Sequence, residues 1–279
     1  MKSEKLDALL VYATGSALGS GSRSHGNMRY LCNWDGHNQP SVLILRPGKE
    51  LVLIIGALPM LMMHQWRDLL WFKDVRHVKG PLFGGEVVSI LKKRGAAKRR
   101  IGVLGLGDVP VPVWDAIRSG LPGIEWVDFQ PSLDMRRVVK DRHMLAFHKR
   151  AAEICDAMFQ VCQREIRSGK RGYQIQADME REARYAGSEY CITWLTIVPA
   201  ADYPRFFKEE CHRVPQVGDQ VVAGIYMLYE GHWGHAIRTA SVGKPTDNHR
   251  RIFDIVYAMQ EAALAKLKPG GDMHDVNRA

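Results

Sequence analysis

Leu228-Tyr229-Glu230-Gly231-His232-Trp233-Gly234-His235-Ala236-Ile237-Arg238-Thr239-Ala240-Ser241-Val242-Gly243 is a β-forming run interrupted by one Glu-Gly pair. The residues before the pair, Val221 to Tyr229, have the same character, so the two segments predict a hairpin turning at Glu230-Gly231. Side chains alternate between the faces of a strand. His232 and His235, three apart, therefore project to opposite sides unless a bulge intervenes, which argues against a two-histidine metal site on this strand alone.

Two helices precede the hairpin and one follows it. Asp141 to Arg167 carries Leu145, Ala152, Cys155, Phe159, Cys162 and Ile166 at helical spacing, which predicts one apolar stripe. A second helix is read from Tyr173 to Ala186, stopped by Gly187. After the hairpin, Arg250 to Lys268 sets Ile252, Ile255, Val256, Met259 and Ala263 on one face, and Pro269-Gly270-Gly271 ends it. The first half of the chain alternates differently. Leu9 to Tyr12, Val42 to Leu45 and Leu51 to Ile55 read as strands, the last two joined as a hairpin through Arg46-Pro47-Gly48-Lys49. Ile101 to Leu104, a helix near Val113 to Ser119 and a strand at Trp126 to Phe129 complete an α/β pattern with a mixed sheet.

With 279 residues, 46% of them hydrophobic and 25% charged, the chain is neither disordered nor of low complexity. Its net charge of +9 favours encounter with anionic substrates, nucleic acid or an anionic membrane. The five cysteines are too few and too scattered for a disulfide framework or a CxxC zinc site, and a reducing, cytoplasmic setting is the simpler reading. No signal peptide is read at the N-terminus. The longest uncharged stretch, Leu51 to Met63, falls short of the about 20 residues that span a bilayer, so no membrane partner is expected.

Three local patterns invite a function and lose it on inspection. Gly102-x-x-Gly105-x-Gly107 lacks dinucleotide-binding spacing, and Pro110 and Pro112 stand where a phosphate-binding helix would open, so a tight loop is the better reading. The basic run from Lys92 to Arg100 has no interleaved aromatic residues and reads as a solvated face rather than a nucleic-acid site. Cys155 and Cys162 lie seven apart on the helical stripe, which points them into the core.

Several turns carry a family likeness. Pro215-x-x-Gly218-Asp219 precedes the hairpin, Tyr229-x-Gly231 makes its turn, and Arg238-Thr239 and Gly243 follow. Asp7-Ala8-Leu9-Leu10-Val11, Asn27-Met28-Arg29-Tyr30-Leu31 and Arg137-x-x-Lys140-Asp141 stand in the matching order upstream. In these residues the sequence resembles the pita-bread family of creatinase, aminopeptidase P, prolidase and methionine aminopeptidase. The resemblance implies a creatinase-like N-terminal α/β domain over residues 1–135, then the first half of an α+β pita-bread domain over residues 136–279. The family's second half would supply a histidine and two glutamates. The resemblance therefore implies that the sequence is a fragment or that another chain completes the fold.

The resemblance also implies hydrolysis of a C–N bond in a small amide, amidine or dipeptide-like substrate. Metal-dependent members place aspartates where this chain has Gly224 and His235, so no metal or other cofactor is expected. Creatinase works without metal through a histidine, but the loop aligned with its catalytic histidine, Asp202 to Phe207, has none. His235 and His232 are then the proton-transfer candidates, a structural histidine being the competing reading of His235. Arg238, Arg205, Tyr203 and Asp202 are candidates to orient a carboxylate-bearing substrate. A homodimer is expected. The alternative is a non-catalytic pita-bread module that binds a peptide or protein, and a third reading is a metallopeptidase whose altered ligands include His235.

Overall fold

The computed structural model describes residues 1, 4–56, 70–79, 82–93, 95, 99–202 and 212–279 except residue 20 and the side chains of residues 18 and 19. The chain divides into two compact units, Met1–Asp141 and Arg142–Ala279.

The N-terminal unit runs β1 (Ala8–Ala13), α1 (Ser16–Gly19), α2 (Arg23–Cys32), β2 (Ser41–Leu45), β3 (Val52–Ile55), β4 (Asp74–His77), α3 (Phe83–Lys93), β5 (Arg100–Leu104), α4 (Val111–Gly120), β6 (Glu125–Asp128) and α5 (Gln130–Val138). Its six strands lie in the order β4-β3-β2-β1-β5-β6. β2 pairs antiparallel with β1 and β3, whereas β1 with β5 and β5 with β6 are parallel. The mixed sheet and the hairpin through Arg46 to Lys49 are thus as the sequence predicts.

Alternate residues of β1 enter separate cores. Leu9 and Val11 pack with Met28, Trp34 and Leu133, while Leu10 and Tyr12 pack with Ile90, Ile117 and Val87. A sheet covered on both faces accounts for the unbroken apolar runs of β1 to β3. Leu133, the buried residue of α5, lies in the first of these cores. In the loop after β5, Gly105 adopts φ +74° and leads into a single 3₁₀ turn, the tight connection expected there. Arg99 and Arg100 of the basic run pair with Asp7 and Glu125. Arg94 and Lys98 lie outside the described residues.

The C-terminal unit contains α6 (Arg142–Glu165), α7 (Gly172–Tyr185), β7 (Tyr190–Pro199), β8 (Asp219–Tyr229), β9 (His232–Ser241), α8 (Asp247–Lys266) and α9 (Met273–Arg278). The three strands form an antiparallel sheet in sequence order. Glu230 at φ 48° and Gly231 at φ 73° close the β8–β9 hairpin, a two-residue turn whose positive φ angles match the twist of the strands. Helices α6 and α7 cover one sheet face. Their seam is Ala151, Ile154, Cys155, Met158, Val161 and Cys162 from α6, with Ile175, Met179 and Ala183 from α7, packed on Leu195, Ile197, Val221, Ala223, Ile225, Met227 and Ala236.

The α6 seam corrects the predicted stripe. Leu145 and Ala152 are exposed, and Ala151, Ile154 and Met158 take the inner positions, because β9 draws Ala151 against its backbone. A methyl group added at Gly234 would lie 2.8 Å from the Ala151 carbonyl oxygen and 2.9 Å from Met227 Sδ. Gly234→Ala is accordingly expected to destabilise this unit by about 1–3 kcal/mol, read by urea denaturation, since the obstructing atom is backbone.

Helix α8 forms as predicted and buries no side chain. Ile252, Phe253, Ile255, Val256 and Met259 are all exposed along it. These side chains lie together on one side of the helix, uncovered by the described residues. The chain is expected to bind the dye ANS, and Ile255→Glu with Val256→Glu to remove most of that binding while leaving helix content unchanged by circular dichroism.

Candidate functional site

The hairpin register sorts the candidate residues onto two faces. β8 and β9 pair Tyr229 with His232, Tyr226 with His235, Gly224 with Ile237 and Ala223 with Arg238. Gly234 and Ala236 point at the helices, so His232 and Arg238 share the helix side and His235 stands on the other.

On the helix side, the His232 ring lies 5.1 Å from Phe147 and 5.0 Å from His148, and its Nδ1 is 2.7 Å from the Glu230 carbonyl oxygen. Arg238 reaches toward Asp156 of α6 at 3.9 Å. Strand alternation separates His232 and Arg238 from His235, as the sequence spacing predicts for the two histidines, and no bulge intervenes. Asp202 is exposed just beyond β7, where its backbone carbonyl accepts a 2.6 Å hydrogen bond from Gln220. Tyr203 and Arg205 lie outside the described residues.

On the far face, three rings follow one another across the three strands. Trp194 of β7 lies 4.9 Å from Tyr226 of β8 at 60°, and Tyr226 stacks on His235 of β9 at 4.1 Å and 26°. The row beside the stacked pair is formed by Trp194, Gly224 and Ile237, which face one another in register. Gly224, at the centre of that row, contributes no side chain and is buried. His235 is exposed, and among the described residues its ring makes no hydrogen bond. Tyr226 and Trp194 were not among the sequence candidates, although the two-residue turn dictates that Tyr226 opposes His235.

Thiol chemistry is disfavoured here. Burial raises the Cys155 thiol to about 11, with Asp156 adding to it, and raises Cys162 to about 12. Burial first, then Glu180, raises Cys191 to about 12. These groups stay protonated near neutrality, so they are poor nucleophiles.

Two models of known families match the chain in succession. The creatinase/prolidase N-terminal domain matches residues 1–139, and metallopeptidase family M24 matches residues 146–279. The chain belongs to the creatinase/prolidase family. An uncharacterized hydrolase/peptidase, y4tL, of Sinorhizobium fredii is 32% identical over 199 residues, 69% of this chain and 50% of that protein. A Xaa-Pro dipeptidase of Pyrococcus furiosus is 28% identical over 48% of this chain and 38% of its own length. The chain thus spans at most about half the length of these relatives. The X-Pro aminopeptidase of Thermotoga maritima superposes with a TM-score of 0.76 at 22% identity, covering 96% of this chain and 72% of that one, which shows the pita-bread fold.

The metallopeptidase branch of this family implies a pair of metal ions, and the residues present do not fit one. A dinuclear centre needs bridging carboxylate oxygens. Gly224 offers no donor, His235 offers one imidazole stacked on a phenol ring, and their neighbours on the face are Trp194 and Ile237. Among the described residues, no group of three or more His, Cys, Asp or Glu could hold a metal ion. No described helix is long and apolar enough to cross a membrane.

Proposed function

We propose that the chain is a creatinase-like or Xaa-Pro-peptidase-like hydrolase that cleaves a C–N bond of a small amide, amidine or dipeptide-like substrate without the usual dinuclear metal. The observation that carries the reading is His235, an exposed imidazole stacked on Tyr226 on the sheet face away from the helices. Imidazole exchanges protons near neutral pH. In the proposed step, water attacks the carbonyl or amidine carbon as His235 takes its proton. The same proton is then delivered to the leaving nitrogen as the C–N bond breaks, so the imidazole is regenerated. Tyr203 and Arg205, in the segment beginning at Asp202, are the proposed groups for the substrate carboxylate, a reading in keeping with the net charge of +9.

A second reading is a non-catalytic pita-bread module that binds a peptide or protein, favoured by the absence of carboxylates at positions 224 and 235. The exposed apolar side of α8 supports a further part of the proposal, that a second chain, in a homodimer or otherwise, completes the C-terminal unit. A screen of Xaa-Pro dipeptides and small amides, read as released amine, separates the two readings. The hydrolase reading predicts turnover of at least one class, and binding without turnover supports the module.

A further inference from the structure

Resting on the reading of His235 as the proton carrier, we propose that Tyr226 is a positioning residue, whose ring holds the His235 imidazole in the orientation the reaction uses. An exposed histidine on an edge strand samples several rotamers, and ordering it costs entropy at each turnover. Here one face of the imidazole is taken up by the Tyr226 ring at 4.1 Å and 26°, and Tyr226 is in turn backed by Trp194 at 4.9 Å. The support is one-sided. The diagonal neighbours of His235 on β8 are Leu228 and Gly224, both buried, whereas His235 itself is exposed. A ring fixed on one face and free along an edge is held without being blocked. Among the described residues the Tyr226 hydroxyl makes no hydrogen bond. The stack needs only the ring of Tyr226, so phenylalanine should replace it and alanine should not.

The test compares Tyr226→Phe, Tyr226→Ala and His235→Gln in the full chain, with circular dichroism to confirm folding. Two readouts are used: the His235 ring-proton resonances, assigned by their loss in H235Q, and release of proline from Ala-Pro or of amine from the best amide of the screen. In the parent chain and Y226F, the ring current of the aromatic partner should shift the resonances upfield, with equal turnover. In Y226A they should move downfield, and kcat should fall about tenfold at nearly constant KM, as expected for a misplaced catalytic group. Unchanged resonances in Y226A, or full activity in Y226A beside an inactive H235Q, would overturn the positioning role. So would a Y226F that behaves like Y226A. Full activity in H235Q instead contradicts the proton-transfer reading itself, so the two failures are told apart.

Discussion

Replacing His235 with Ala is expected to lower turnover of the best C–N substrate by about 10²–10⁴-fold, the usual contribution of a positioned general acid–base group. The effect should fall mainly on kcat, because the imidazole acts on the proton in flight rather than on the bound ground state. His232→Ala is the matched control. That ring packs on Phe147 and His148, on the opposite side of the sheet from His235, so its loss should cost stability and leave kcat within about twofold. Steady-state kinetics on both variants checks the pair, and equal losses would mean that the sheet does not separate the two histidines functionally.

A structural effect is expected at Asp219, which opens β8. Its buried carboxylate accepts two hydrogen bonds from Arg213, 2.8 Å from Nε and 2.9 Å from Nη2, and a third of 2.8 Å from the Gln216 backbone N–H. Asp219→Ala removes all three bonds, leaves the Gln216 N–H without its acceptor, and should destabilise the unit by about 1–3 kcal/mol, measured by urea denaturation. The pH dependence has a definite sign. Burial alone would raise the carboxyl, but the Arg213 hydrogen bonds, the Gln216 N–H and the charge of Arg213 outweigh it and hold it below its ordinary value. A depressed carboxylate contributes its full stability above the unfolded value of about 3.9 and loses it as the pH falls through the folded one. The parent chain should therefore lose stability below about pH 4 more steeply than Asp219→Asn, which has no proton to gain.

Much of this was legible in the sequence because its determinants are local. The Glu230-Gly231 pair sets a two-residue turn, and that turn sets the register: once Tyr229 opposes His232, Tyr226 must oppose His235. Strand alternation likewise places His232 apart from His235, and the same rule puts Arg238 with His232. The phase of α6 was not legible. Apolar residues lie on more than one of its faces, and the choice of Ala151 over Ala152 depends on Gly234 some 80 residues away, whose bare backbone admits the helix. Nor did the sequence reveal that α8 forms without burying its apolar side, since periodicity reports the existence of a face and not what covers it.

The central claim is that a member of a metallopeptidase family works from His235 without the paired metal ions. Its most direct test is elemental analysis and turnover on one preparation of the full chain, before and after exhaustive chelation. The account predicts well under one metal ion per chain and a kcat unchanged by the chelator. Two metal ions per chain, removed with activity and restored with it on adding back manganese, cobalt or zinc, would contradict it.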